Sequence, residues 1–280
     1  MSEINLMSKF NDEMNTMAKK SKNPGLNSVA TYPISYPTTL LPLDYMNGMR
    51  VEIDSINDRN FIYDSIGLGE GSINMFIGKT GSAKSSMVIQ IATSIVAPFK
   101  NSMIVHEDPE GGSSYPRIKT LSGWSSKYIS THYNFRQAGI DSDSFFKRTV
   151  SHCKLKMELA NEHPNEFLYF TGTFDVHGNP VYKIIPSVII LDSLALLSIN
   201  GKTKDEELEG NMSASQNAKM NAQIFKRLAQ PLKLTNTILL IINHLNSNIK
   251  LNPYDNKGAQ INYLSMDETI PGLVTLPVSS

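Results

Sequence analysis

Ile73-Asn74-Met75-Phe76-Ile77, then Gly78-Lys79-Thr80-Gly81-Ser82-Ala83-Lys84-Ser85, then Ser86–Val96 form the stretch on which the reading of this chain turns. A short apolar run, a glycine-bearing polar loop and a segment rich in Met, Val, Ile and Ala read as strand, loop and helix. A loop bent tightly at that point aims successive backbone N–H groups inward at an anion. Glycine permits the backbone angles, and the helix start adds partial positive charge. In such a loop the residues from Gly78 to Ser86 cradle a nucleotide's phosphates, Lys84 reaches the β- and γ-phosphates, and the Ser85 hydroxyl ligates Mg²⁺. The usual pattern has glycine before the lysine. Here that residue is Ala83, whose methyl is a small intrusion, and Gly81 remains to supply flexibility.

Working outward, the same alternation recurs. Ser102–His106 reads as a strand ending at Glu107-Asp108 and then Pro109-Glu110. Val188–Leu191 is a continuous apolar run ending at Asp192-Ser193, as in a buried parallel strand. Ser213–Leu234 reads as a helix with Met220, Ile224, Leu228 and Leu232 on one face, and Thr237–Ile242 as a strand ending at Asn243-His244. Strands alternating with helices predict an α/β fold, a mostly parallel sheet with helices on both faces. Residues 124–186 read as an insertion: a helix over Asp141–Glu162, then a hairpin over Phe167–Ile185 around His177-Gly178-Asn179-Pro180. Before the nucleotide loop, Asn47-Gly48 marks a turn and Gly67–Gly71 a glycine-rich one. Ile4, Met7, Phe10, Met14 and Met17 predict a short amphipathic helix, packed either on its own domain or on a neighbouring subunit. The expected division is therefore residues 1–35, helix and linker, and residues 36–280, the core.

Each strand end brings a candidate. Asp192, at the tip of a buried strand, can hold Mg²⁺ through water. One of Glu107, Asp108 and Glu110 is the natural group to polarise an attacking water. Asn243-His244 either touches a γ-phosphate or caps a loop. His106, His152 and Cys153 lack the spacing of paired metal ligands, and a cysteine on an apolar helix face is usually core.

Composition sets limits. The chain has 280 residues, with 26 Lys and Arg against 26 Asp and Glu, so no strong net charge advertises nucleic-acid binding and any DNA contact must be local. A single cysteine, Cys153, excludes an intramolecular disulfide and fits a reducing compartment. No run approaches the ~20 apolar residues of a membrane span, and Met1–Phe10 lacks the basic start and apolar core of a signal peptide. A cytoplasmic protein without membrane contact is expected.

In chain order, the loop 78–85, the glutamate-bearing strand end, Leu191-Asp192-Ser193-Leu194, the long helix and Ile242-Asn243-His244 resemble the RecA-like strand-exchange recombinases. They look closest to the phage members of UvsX type. Met212-Ser213-Ala214-Ser215 through Phe225-Lys226-Arg227-Leu228 is similar in register to those proteins. So is Tyr36-Pro37-Thr38-Thr39 with Leu43-Asp44-Tyr45 and Asn47-Gly48, and phage members tolerate a non-glycine residue at the position of Ala83.

This resemblance, over roughly residues 36–272, implies a RecA-like P-loop ATPase core that uses ATP and Mg²⁺. It implies Glu110 as the glutamate that activates water and His244 as the γ-phosphate sensor. Ser198–Asn211 and Leu245–Gly272 would be the first and second DNA-binding loops. It further implies a homo-oligomeric filament, with ATP between neighbouring subunits and single-stranded DNA held along it. The implied work is recombination and repair, in the cytoplasm of a phage-infected host. A replicative-helicase motor, which shares the core and forms rings, and a shortened module that binds nucleotide without hydrolysing it are the alternative readings. Two features depart from the family pattern. The first loop carries Asp205, Glu206, Glu207 and Glu209, which repel phosphates. Only seven residues follow Leu273, where a RecA-like core continues with further strands, so those C-terminal strands are expected to be missing.

Overall fold

The computed structural model describes residues 34–53, 61–174, 179–197, 211–244, 246–247 and 268–269. The amphipathic helix expected near the N-terminus, nearly all of the first proposed DNA loop, most of the second, and the C-terminal end lie outside these residues.

The elements that position the candidate site are β1 (Ile73–Gly78), α1 (Lys84–Val96), β2 (Ile104–Glu107), α2 (Tyr115–Ser122), α3 (Ser126–His132), β3 (Tyr133–Arg136), α4 (Ser142–Glu162), β4 (Leu168–Phe174), β5 (Pro180–Ile184), β6 (Ser187–Asp192), α5 (Asn211–Leu234) and β7 (Thr237–His244). Five of the strands form one sheet in the order β1-β7-β6-β2-β3, and every neighbouring pair is parallel. The fold is α/β with an all-parallel central sheet. The register aligns Gly78 with His244, Asp192 with Ile242, and Glu107 with both Leu191 and Arg136, so the strands end along one edge.

Side-chain alternation explains why helices cover both faces. On one face Ile104, Val188, Ile190, Ile238, Leu240 and Ile242 pack with Val88, Ile89, Ile91, Ile95 and Val96 of α1, Ile118 of α2 and Ile129 of α3. On the other, Ile189, Leu191, Leu239 and Ile241 pack with Phe145 and Cys153 of α4 and Ile224, Leu228 and Leu232 of α5. Each fully buried aliphatic side chain contributes about 1.5–3 kcal/mol, which makes the sheet a rigid base for what its edge carries.

Several boundaries move for local reasons. The helix after the glycine loop starts at Lys84, because Ala83 already accepts the first helical bond, from Met87 N–H at 3.0 Å. The long helix read over 141–162 starts at Ser142, because Asp141 is its cap: the Asp141 carboxylate accepts from Ser144 N–H at 2.6 Å, and Ser144 Oγ accepts from Asp141 N–H at 3.0 Å. The second strand runs over 104–107 rather than 102–106, as His106 and Glu107 still face partners on both sides. Within the span read as an insertion, β4 and β5 pair antiparallel as a hairpin, and β3 is the outer strand of the central sheet. Met49–Ile53 and Phe61–Ser65 form an antiparallel pair that the sequence pattern did not announce.

Candidate functional site

The loop between β1 and α1 is shaped by three residues. At Gly78 a β-carbon would stand 3.0 Å from Ser82 Oγ, so the loop closes over a position with no room to spare. Gly81 has φ +80°. Ala83 has φ +60°, ψ 19°, the left-handed conformation that glycine adopts without steric cost. The chain thus carries a methyl group at a left-handed position where glycine would relieve strain.

Lys84 is buried, and its ammonium donates to the carbonyls of Gly78 and Lys79, both at 2.8 Å. The side chain is folded back under the loop that it serves. Asp192 ends β6, with β7 intervening between it and the loop's strand, yet its carboxyl still hydrogen-bonds Ser85. Burial raises the Asp192 pKa. The Ser85 hydrogen bond pulls it down, and the nearby Asp108 and Glu110 charges raise it further. A hydroxyl beside a partly desolvated carboxylate is a hard-oxygen pair of the kind Mg²⁺ accepts, its remaining positions being filled by substrate phosphates and water. Among the described residues no group of three or more His, Cys, Asp or Glu side chains forms a metal cage.

The three acidic candidates after β2 separate by their partners. Glu107 is buried and held by Arg148, with Nε to Oε1 at 2.7 Å and Nη2 to Oε2 at 2.6 Å. Asp108 is fully buried and accepts backbone N–H groups of Gly111, Gly112 and Ser113. Glu110 is the one that faces the loop. Its Oε2 lies 3.1 Å from His244 Nε2, and His244 Nδ1 lies 3.4 Å from Thr80 Oγ1. Asn243 is buried, and its side-chain oxygen accepts the His244 N–H at 2.9 Å, fixing the backbone at the strand end.

These groups enclose a cleft of about 190 Å³ lined by Thr80 to Ser85, Glu110, Gly112, Arg117, Asp192 and His244. Gly78 and Lys79 sit beneath the loop as acceptors for Lys84, and Ser86 lies at its rim, where Arg117 Nη2 donates to Ser86 Oγ at 2.8 Å. Sequence reasoning missed Arg117. Its only signal was position, on the first helix after the acidic strand end. Of the expected second DNA loop, Asn246–Ser247 pairs antiparallel with Glu268–Thr269, closing its base just past His244. No helix among the described residues is long and apolar enough to cross a membrane.

No protein-family model matches this chain, and no curated protein matches it.

Proposed function

We propose that the chain is a DNA-dependent ATPase of RecA-like type, a recombinase that coats single-stranded DNA as a filament and promotes homologous pairing and strand exchange. The observation that carries this reading is the convergence in one cleft of Lys84, Ser85, Asp192, Glu110 and His244 from three strand ends and a helix start. The strand order supports it, since β7 lies beside β1 and sets His244 in register with Gly78.

In this reading Lys84 leaves the Gly78 and Lys79 carbonyls to meet the β- and γ-phosphates of ATP, and the N–H groups of the loop hold their oxygens. Ser85 and Asp192 hold Mg²⁺, which when bound neutralises charge on the phosphates. Glu110 accepts a proton from the attacking water while His244 orients its carboxylate. His244 also meets the γ-phosphate at the end of β7, so that DNA binds the ATP state better.

ATP hydrolysis by the purified chain, with and without single-stranded DNA and alongside Lys84→Ala, tests the proposal. DNA stimulation that vanishes in Lys84→Ala is expected. Turnover unchanged by DNA would sink the recombinase reading. Closed rings in electron micrographs would favour a helicase-type motor, and tight ATP binding without turnover a nucleotide-binding module.

A further inference from the structure

Asp108 accepts four hydrogen bonds. Its Oδ1 takes the N–H of Gly111 at 2.8 Å and of Gly112 at 3.3 Å; its Oδ2 takes the N–H of Ser113 at 2.9 Å and Nε2 of Gln137 at 3.0 Å. Gln137 Nε2 also donates to the Ser113 carbonyl at 2.7 Å, and the Asp108 N–H donates to the Arg136 carbonyl at 2.8 Å. The carboxylate is therefore the hub of a closed ring through residues 108–113, and Gln137 ties that ring to the end of β3 at the sheet edge. Glu110 lies inside the ring, one residue before Gly111, which takes φ +71° to let the chain turn back. A fully buried carboxylate is costly unless its lone pairs are filled, and here charge-assisted bonds fill them with the backbone of this loop.

We propose that Asp108 and Gln137 are positioning residues for Glu110. They hold its backbone so that the carboxylate meets His244 and the cleft, and neither touches the substrate. The inference rests on the reading of Glu110 as the group that activates water. It assigns a function to the outer strand β3 and the residue that follows it: they brace the loop that carries the chemistry.

The test uses the full chain with ATP and Mg²⁺ and the variants Gln137→Ala, Asp108→Asn and Glu110→Gln. Gln137→Ala is expected to lower kcat on the order of 10- to 100-fold, the cost of misplacing a reacting group by about 1 Å, while KM for ATP and the affinity for ADP hold. Amide exchange at Gly111, Gly112 and Ser113 should quicken in Gln137→Ala, and Glu110→Gln should remove any further effect of Gln137→Ala on kcat. Asp108→Asn should act in the same direction and more strongly, since one of its oxygens becomes a donor facing donors. Turnover lost in Glu110→Gln but intact in both other variants would overturn the positioning role alone. A parallel loss of ADP affinity and kcat would overturn it in favour of general damage to the site. A wild-type chain without turnover, or turnover indifferent to Glu110→Gln, would overturn it together with the reading of Glu110.

Discussion

His244 Nε2 lies 3.1 Å from Glu110 Oε2, although 134 residues separate the two along the chain. The contact exists because β7 inserts between β1 and β6, which carries the end of β7 to the mouth of the glycine loop, where the loop after β2 also arrives. An imidazole that meets Thr80 with one nitrogen and Glu110 with the other joins the loop after β1 to the Glu110 carboxylate. Glu110→Gln is expected to lower ATP turnover about 10²- to 10⁴-fold, the usual worth of a general base, and to leave ATP binding intact. His244→Ala should cost less alone and little more when added to Glu110→Gln, because the two act as one unit. Single-turnover hydrolysis by the three variants measures this, and additive losses would separate the pair.

Ala83 in the left-handed region gives a prediction with a definite sign. An L-residue there costs roughly 1–2 kcal/mol, and glycine removes that cost while gaining about 0.4–1 kcal/mol of unfolded-state entropy to lose. Ala83→Gly should therefore stabilise the chain by up to about 1.6 kcal/mol in urea denaturation. Ala83→Val, with a branched β-carbon, should destabilise it.

How far the sequence was legible follows from which signals are local. The strand–loop–helix around Gly78 to Ser85 and the runs Val188–Leu191 and Thr237–Ile242 were readable, because apolar continuity and glycine spacing act over a few residues. The strand order was not, since nothing in Thr237–His244 says that it pairs with Ile73–Gly78. Tyr133–Arg136 was hidden for a related reason: an edge strand of four residues, with Asn134 and Arg136 exposed, has no continuous apolar run. Among the acidic residues, composition offered Glu107, Asp108 and Glu110 as equals. The resemblance alone singled out Glu110; in the structure the partners separate the three, and Arg148 and Gln137 lie too far along the chain for any spacing rule to couple them to the strand end.

The Glu107–Arg148 pair is one such long-range partnership, and its removal should be severe from one side only. Glu107 is buried, while the Arg148 side chain is about a quarter exposed. Arg148→Met leaves an uncompensated buried carboxylate, which costs about 3–5 kcal/mol in comparable cases. Glu107→Gln combined with Arg148→Met should recover much of that loss, since the charge to be solvated is gone. Urea denaturation of the single and double variants decides it, and an equal loss in both would place the cost in packing.

The pH dependence of stability should show His106. The ring is fully buried between β2's neighbours, with Nδ1 on the Tyr133 hydroxyl at 2.8 Å and no hydrogen-bond partner for Nε2 among the described residues. Burial, partly offset by the Asp108 charge, lowers its pKa to about 4 from an ordinary 6.5. Between those two values the unfolded chain binds the proton and the folded chain does not, so stability is complete above pH 6.5 and is lost as pH falls towards 4. The loss from this group amounts to roughly 1.4 kcal/mol by pH 5.5 and about 3 kcal/mol by pH 4. His106→Gln keeps a partner for Tyr133 and carries no titratable group. Its stability, measured by urea denaturation from pH 8 to pH 5.5, should therefore fall less than that of the wild-type chain by about the same 1.4 kcal/mol. Identical slopes would mean that the imidazole is protonated in the folded chain or that the core opens to admit the proton.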